Sequence, residues 1–448
     1  MRERVLHIGF DDTDSTKGMC TTFLAYKIVQ HLRGRNVEFM DYPYLIRFNP
    51  NIPWKTRGNG AVAIKIRTVN PAAVKGKIIE FVKRYSATDE GANPGLAFYE
   101  SDEIPAHFSE FGRMALSTLV SRSTARKFAE KNRIETFHMG NGQGLVGAIG
   151  ALGYGFDDHT YELISYRHRS NFGKKRIISK ESVRKMQEIT APKTFNSYDD
   201  IKGRVLIAPH GPDPVFFGVR GEDVDSVVKG ASLVKSDEKL SGYMVFRSNQ
   251  GTGDHLRSEL DLENMRPYSS GFVLGKVATA PRTVVGGHVM FTITKSGKSI
   301  GCAVYKPTGL AKIAAGLIRG DTVKLGGGIR RASKRYGRTL NIEFIDVIKA
   351  ARRMEVVNPM CTRCARRMKS KGRGQGFRCE RCGQVSQSKV LEEVPRSLVK
   401  GLYLPVPSAH RHLTRPLQRV SKFNTGNEFD NSKKWFSISM KSRGGKSR

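Results

Sequence analysis

The sequence is short of acidic residues, short of cysteine outside one region, and has no long apolar run. Its 448 residues carry 76 Lys+Arg against 41 Asp+Glu, a formal net charge of +35. No stretch approaches the roughly 20 consecutive apolar residues of a membrane-spanning helix, so no membrane partner is expected. Of six cysteines, four sit in two CxxC pairs. That usage excludes a disulfide framework and fits a metal site in a reducing compartment. The chain opens on Arg2-Glu3-Arg4 without a cleavage-site pattern, and a cytoplasmic protein is expected. A hydrophobic content of 39% excludes wholesale disorder.

What is present is positive charge, which predicts a polyanionic partner, nucleic acid first. From Cys361 to the C-terminus there are 21 Lys+Arg and 5 Asp+Glu. Within that stretch Cys361, Cys364, Cys379 and Cys382 have the spacing of a zinc ribbon, four thiolates around a structural tetrahedral ion. Arg366, Arg367, Arg373, Phe377 and Arg378 lie between the two pairs and are expected to form a rigid RNA-binding face. The closing "NSKKWFSISMKSRGGKSR" shows little periodicity and is expected to end as a flexible basic tail.

Hydrophobic spacing predicts an α/β and α+β multidomain chain. Val5–Phe10 reads as a buried strand, Met19–Leu32 as a helix, Phe39–Phe48 and Ala61–Thr68 as strands, and Pro71 opens a helix. From Ile134 the order is strand, helix (Leu145–Leu152), strand (Tyr161–Tyr166). After a polar insertion come strand (Pro214–Val219), helix (Val224–Val234) and strand (Tyr243–Ser248), a ferredoxin-like order. Gly271–Lys349 alternates short strands with glycine-rich turns and suits an OB-fold barrel.

Against the basic background, "FDDTDSTKGMCTT" places Asp11, Asp12 and Asp14 within four positions of a strand end. Like charges this close repel. A helix-capping turn uses one such acid, whereas three suit a magnesium site, since hard oxygen ligands hold Mg²⁺ against phosphates. "KTRGNG" sets Lys55 and Arg57 beside glycines that let backbone approach phosphate. "GQGLVG" matches a dinucleotide fingerprint, but no acid stands at the required distance beyond it. Gly142 and Gly144 are instead expected to bring a helix N-terminus towards phosphate.

The chain resembles the archaeal 2-agmatinylcytidine synthetase family. The motifs are "GFDDTDSTKGMCTT", "IPWKTRGNGA", "NPG", "GQGLVGA", "GVRGE", "GRGQGFRC" and "PSAHRHLTRPL", in the family's order from residue 9 to 417. The resemblance implies a kinase-like catalytic domain (1–132), a ferredoxin-like domain (133–268), an OB-fold (269–352), a zinc ribbon (353–392) and a basic tRNA-binding extension (393–448). It implies an ATP-dependent ligase that joins agmatine to C2 of the wobble cytidine in the CAU anticodon of the minor isoleucine tRNA. ATP, Mg²⁺ and Zn²⁺ are the expected cofactors, and Asp11, Asp12, Asp14 and Thr21 the catalytic residues, with Thr21 self-phosphorylated. Agmatine is a dication, and Phe195, Asp199 and Glu222 offer a stacking surface and acids for it. A non-catalytic OB-fold and zinc-ribbon binder would explain the charge but leave the aspartates without a role. A nuclease would use them for phosphodiester cleavage.

Overall fold

The computed structural model describes residues 2–56, 58–334, 337–426 and 428–439. β1 (Arg4–Asp11) is buried from Val5 to Phe10, with its one buried polar side chain, His7, hydrogen-bonded to Ser101 O at 3.0 Å. α1 (Thr21–Leu32) begins two residues later than the hydrophobic spacing suggests. Met19 has φ 58° and Cys20 is extended, so neither continues a right-handed helix. The run Phe39–Phe48 breaks into β2 (Val37–Phe39) and β3 (Tyr44–Arg47) around Pro43. β4 (Gly60–Thr68) leads into α2 (Pro71–Tyr85), whose Asn70 cap accepts from Ala73 N at 3.1 Å. β5 (Gly95–Glu100), α3 (His107–Ser117), α4 (Arg122–Lys131), β6 (Glu135–His138) and α5 (Leu145–Leu152) follow. The antiparallel strand order β5-β1-β4-β3, with α1 and α2 as crossovers, is a βαββαβ unit, and β6 extends its outer edge.

A second βαββαβ unit comprises β7 (Thr160–Arg167), α6 (Lys180–Thr190), β8 (Thr194–Phe195), a hairpin of β9 (Tyr198–Asp199) and β10 (Arg204–Val205), β11 (Val215–Gly221), α7 (Val224–Leu233) and β12 (Leu240–Ser248). Its order is β12-β7-β11-β8, again antiparallel throughout. The ferredoxin-like arrangement is therefore present but is built from other elements than expected. β6 and α5, expected at the start of the second unit, complete the first: β6 pairs β5, and α5, buried along its whole length, packs on β1, β4 and β5. The crossover helix is α6, inside the polar insertion. There Ser182, Val183, Met186 and Thr190 are the buried positions, too few to stand out against the polar residues around them.

The two units join edge to edge into an 11-stranded sheet, β3 lying parallel to β12 with Tyr44 opposite Arg247 and Leu45 opposite Ser248. Ser248 Oγ donates to Leu45 O at 2.6 Å, and the buried Arg247 pairs with Asp41 at 3.0 Å. This short seam is where the largest sheet of the molecule changes hands.

The barrel strands are β13 (Ser270–Val277), β14 (Arg282–Val284), β15 (His288–Lys295), β16 (Lys298–Val304), β17 (Thr322–Arg330) and β18 (Thr339–Lys349), with α8 (Ala311–Ala315) before β17. Pairing of β13 with β15 closes the ring β13-β17-β18-β16-β15, the OB order. In the ribbon Cys361, Met368, Phe377 and Cys379 form a small buried cluster. No helix among the described residues is long and apolar enough to cross a membrane.

After the ribbon the chain returns across both units. Arg415 and Arg419 pair with the buried Asp158 at 2.7 and 2.8 Å, and Ser437 and Phe436 pair with Tyr243 and Met244 of β12. The expected flexible ending is docked as far as the described residues reach. Residues 440–448 lie outside the described residues, while Trp435 before them is 1% exposed and packs in the main core. Trp435→Ala is expected to cost about 3–5 kcal/mol of stability, as large aromatic deletions in cores do. Thermal melting checks it; an unchanged melting temperature would mean that the ending is not docked in solution.

Candidate active site

A cavity of about 310 Å³ opens at the seam between the two units. The sequence around it explains its position. β1 ends in the aspartates; Asp12 has φ 55°, which turns the chain out of the strand, and Asp12 N donates to Asp11 Oδ1 at 2.7 Å. The loop that follows folds back so that Thr13 Oγ1 donates to Thr21 Oγ1 at 3.1 Å. Thr21 is therefore the first residue of α1 and is reached from Asp14 by a loop. Asp11, Asp12, Asp14 and Thr21 all line the cavity, with Lys55 and Thr56 from the loop before β4. Thr56 Oγ1 donates to Asp14 Oδ1 at 3.3 Å.

The acids sit in a costly place. Burial, then the charges of Asp12 and Asp14, push the Asp11 carboxyl well above the usual carboxylate range. Burial and then Asp14 push Asp12 up to about 6. α5 supplies the other boundary. Gly144 opens the helix with Gly95 N and Asp11 O so close that a Cβ would lie 2.4 and 2.5 Å from them. One turn on, a Cβ at Gly147 would lie 1.9 Å from Asp11 Oδ2. The carboxylate thus rests on bare helix backbone. Gly142, with φ 73°, turns the chain into this helix, and Gln143 between the two glycines lines the cavity.

The opposite wall comes from the second unit and the returning chain. Glu162 of β7 pairs with Arg220 of β11 at 3.1 Å and with Arg47 of β3 at 3.8 Å, and accepts from Gln250. His412 Nδ1 lies 2.7 Å from Gln250 Oε1. Burial, then Arg47, Arg220 and Lys55, hold the His412 imidazolium form well out of reach. Lys55 is itself lowered by burial and Arg411. Leu206, Ile207, Pro209 and Asp213 complete the wall. The chamber therefore has three carboxylates on one side, a cationic and neutral-imidazole floor, and an apolar wall ending in a carboxylate. Such a site can hold a cation, a phosphoryl group and an extended organic cation together.

Sequence reasoning missed Arg47, Glu162, Asp213, Arg220 and His412. Arg220 and His412 stand inside two of the quoted motifs, and the alternation Gly218, Arg220 along β11 was the available signal. The residues proposed there for agmatine do not reach the cavity. Phe195 is buried beneath Arg419, Asp199 accepts from the backbone N–H groups of Ile201, Lys202 and Ser408, and Glu222 is bound to Arg419 at 2.9 Å. Arg57 lies outside the described residues. In the ribbon the sulfurs of Cys361, Cys364, Cys379 and Cys382 lie within 4.8 Å of one another, a fit for tetrahedral zinc. Phe377 belongs to the ribbon core and cannot stack on RNA, and Arg367 is paired with Glu392 at 2.5 Å. Arg366, Arg373 and Arg378 are exposed.

Comparison with known proteins covers most of the chain. Residues 7–141 match the TiaS TCKD domain, 142–255 the TiaS FLD domain and 358–398 the TiaS C-terminal zinc ribbon domain. The 2-agmatinylcytidine synthetase TiaS of Cenarchaeum symbiosum (strain A), named for the second isoleucine tRNA, is 47% identical over 97% of this chain and 96% of its own. The TiaS of Thermofilum pendens is 38% identical over 92% and 94%. The crystal structure of apo TiaS superposes with a TM-score of 0.84 at 34% identity, covering 93% of this chain and 98% of that one. The crystal structure of TiaS in complex with its isoleucine tRNA, AMPCPP and agmatine gives 0.81 at 31% identity, covering 93% and 98%.

Because Gly147 leaves room for the Asp11 carboxylate, Gly147→Ala is expected to displace it and to slow catalysis on the order of 10²-fold, the scale of a lost electrostatic contact. tRNA affinity is expected to stay near wild type. Gly76→Ala, on α2 with open space around it, is the control and should leave turnover unchanged. Normal turnover in folded Gly147→Ala protein would show that the carboxylate's position does not matter.

Proposed function

The chain belongs to the TiaS family, and we propose that the seam cavity is where it carries out that family's reaction. It is a 2-agmatinylcytidine synthetase for the minor isoleucine tRNA, an ATP-dependent enzyme that attaches agmatine to that tRNA, and its ribbon is a zinc ribbon. The observation that carries the assignment of the site is the convergence of Asp11, Asp12, Asp14 and Thr21 on one chamber that both units build.

On this reading the cytidine of the CAU anticodon enters the chamber, its C2 oxygen is activated by phosphorylation, and the agmatine amine displaces phosphate. The residues present suit magnesium: three hard carboxylates, two of them pushed up by burial and mutual repulsion, favour a divalent counter-ion. When bound, the ion neutralises oxygens of the transferring phosphoryl group. Asp11, Asp12 and Asp14 would hold it. The Thr21 hydroxyl, oriented by Thr13, is the phosphoryl acceptor in self-phosphorylation. Lys55 faces the phosphates, whereas the N–H groups of Gly142, Gln143 and Gly144 are taken up by Met139 O, Asn141 Oδ1 and Asn93 O. The amine lies along Leu206, Ile207 and Pro209, with Asp213 for its cationic end. The exposed ribbon arginines Arg366, Arg373 and Arg378 hold RNA phosphates. A binder without catalysis has no use for buried, mutually repelling acids.

Asp12→Asn is expected to keep the fold, since it removes a repelling charge, yet to slow agmatine incorporation on the order of 10²-fold or more. Thr21→Ala is expected to abolish self-phosphorylation and impair agmatine transfer while tRNA affinity stays near wild type. Melting temperature and agmatine incorporation, read by mass spectrometry of the wobble nucleoside, check both. Destabilised variants with normal turnover per folded molecule would make the aspartates a capping turn.

A further inference from the structure

The wall on which the amine is proposed to lie has almost no secondary structure of its own. Residues 206–214 belong to neither helix nor strand. Main-chain bonds tie the segment near its ends: Leu206 N to Ser197 O, Gly218 N to Ile207 O, and Arg167 N to Pro214 O, each at 2.9 Å. Between those ties, three carbonyls turn to one side chain. Arg176 Nη1 donates to Pro209 O at 3.0 Å and Gly211 O at 2.7 Å, and Nη2 donates to Asp213 O at 2.8 Å. Its Nε donates to Val215 O at 2.8 Å, and Nη2 also reaches Asp213 Oδ1 at 3.2 Å. The side chain is 8% exposed. A single planar fork thus holds the wall from Pro209 to Val215 and the carboxylate that ends it.

We infer that Arg176 is a positioning residue that sets the length of amine the chamber accepts. This rests on the reading that the amine lies along the 206–214 wall. The apolar side chains of Leu206, Ile207 and Pro209 give a methylene chain its contact surface, and Asp213 receives the cation at its end. The distance between that carboxylate and the reacting centre beside Asp11 and Thr21 then selects the chain. Arg176 fixes that distance by holding the backbone on both sides of Asp213. Arg176 does not itself line the chamber, so it acts through the wall and not on the substrate.

Lysine keeps the charge but has three donors on a flexible stem and no fork, so it cannot serve all these acceptors in fixed geometry. A fitted apolar pocket discriminates one methylene by about 10–200-fold, and a loosened wall loses that. R176K is therefore expected to raise the agmatine KM about tenfold with kcat changed far less, the signature of lost ground-state fit. Its preference for agmatine over the guanidinoamines one methylene shorter and one longer is expected to fall by a similar factor. Self-phosphorylation of Thr21 and tRNA affinity are expected to persist, which a general loss of structure would not allow. R176Q, which removes the fork and shortens the reach, is expected to relax the same preference and serves if R176K does not fold. Wild-type selectivity in either folded variant overturns the inference. Asp213→Asn separates this from the underlying reading. If it leaves the agmatine KM unchanged, the amine lies elsewhere and the inference falls with the reading. If it raises KM while selectivity in R176K is unchanged, the amine site stands and Arg176 does not set its length.

Discussion

A carboxylate lying against the bare backbone of a helix is the constraint on which the catalytic arrangement depends. Asp11 occupies the space a side chain at position 147 would fill. β1 must therefore end where α5 passes, α5 must carry glycine at its facing positions, and the other aspartates must crowd into the same corner. Crowding raises the energy of the ionised cluster, which a bound cation or a proton relieves. The local cost is offset by the surrounding structure, where β1 and α5 are buried along nearly their whole length.

Neither βαββαβ unit contains the chamber alone. The first supplies the aspartates, Thr21 and Arg47; the second supplies Glu162, Arg220 and the apolar wall; the returning chain adds His412. The seam between the units rests on two parallel residue pairs of β3 and β12, the Arg247–Asp41 pair, and the docked C-terminal segment. Relative movement of the units would change the distance between the acids and the amine wall. Arginine pairs cross that seam, Arg247 of β12 to Asp41 and Arg47 of β3 to Glu162. A planar fork that stays charged suits such buried junctions better than lysine.

Much of this was legible in the residues. Apolar runs located β1, β4, β7 and α5, the CxxC spacing located the metal site, and an acid cluster in a basic chain pointed to one corner of the chamber. What escaped was of two kinds. α6 was hidden because its four core positions are outnumbered by polar and charged residues, although Ser179 accepts from Ser182 N as a proper cap. The opposite wall escaped because its residues meet only through tertiary contact. Glu162 and Arg220 are 58 positions apart, Arg220 and His412 are 192 apart, and no local periodicity encodes either pairing. Phe195, Asp199 and Glu222 are each the right type for a cation but lie off the chamber, Phe195 and Glu222 against Arg419 and Asp199 accepting from backbone N–H groups.

The central claim is that the aspartate corner is held in a repulsive arrangement in order to bind a divalent cation. Electron paramagnetic resonance of Mn²⁺, a hard-ligand stand-in for Mg²⁺, tests it most directly on the full chain without ATP. A bound manganese population is expected in the wild-type protein and should disappear in the Asp11→Asn, Asp12→Asn double variant, while zinc content and melting temperature are retained. Equal manganese binding by the two folded proteins would contradict it.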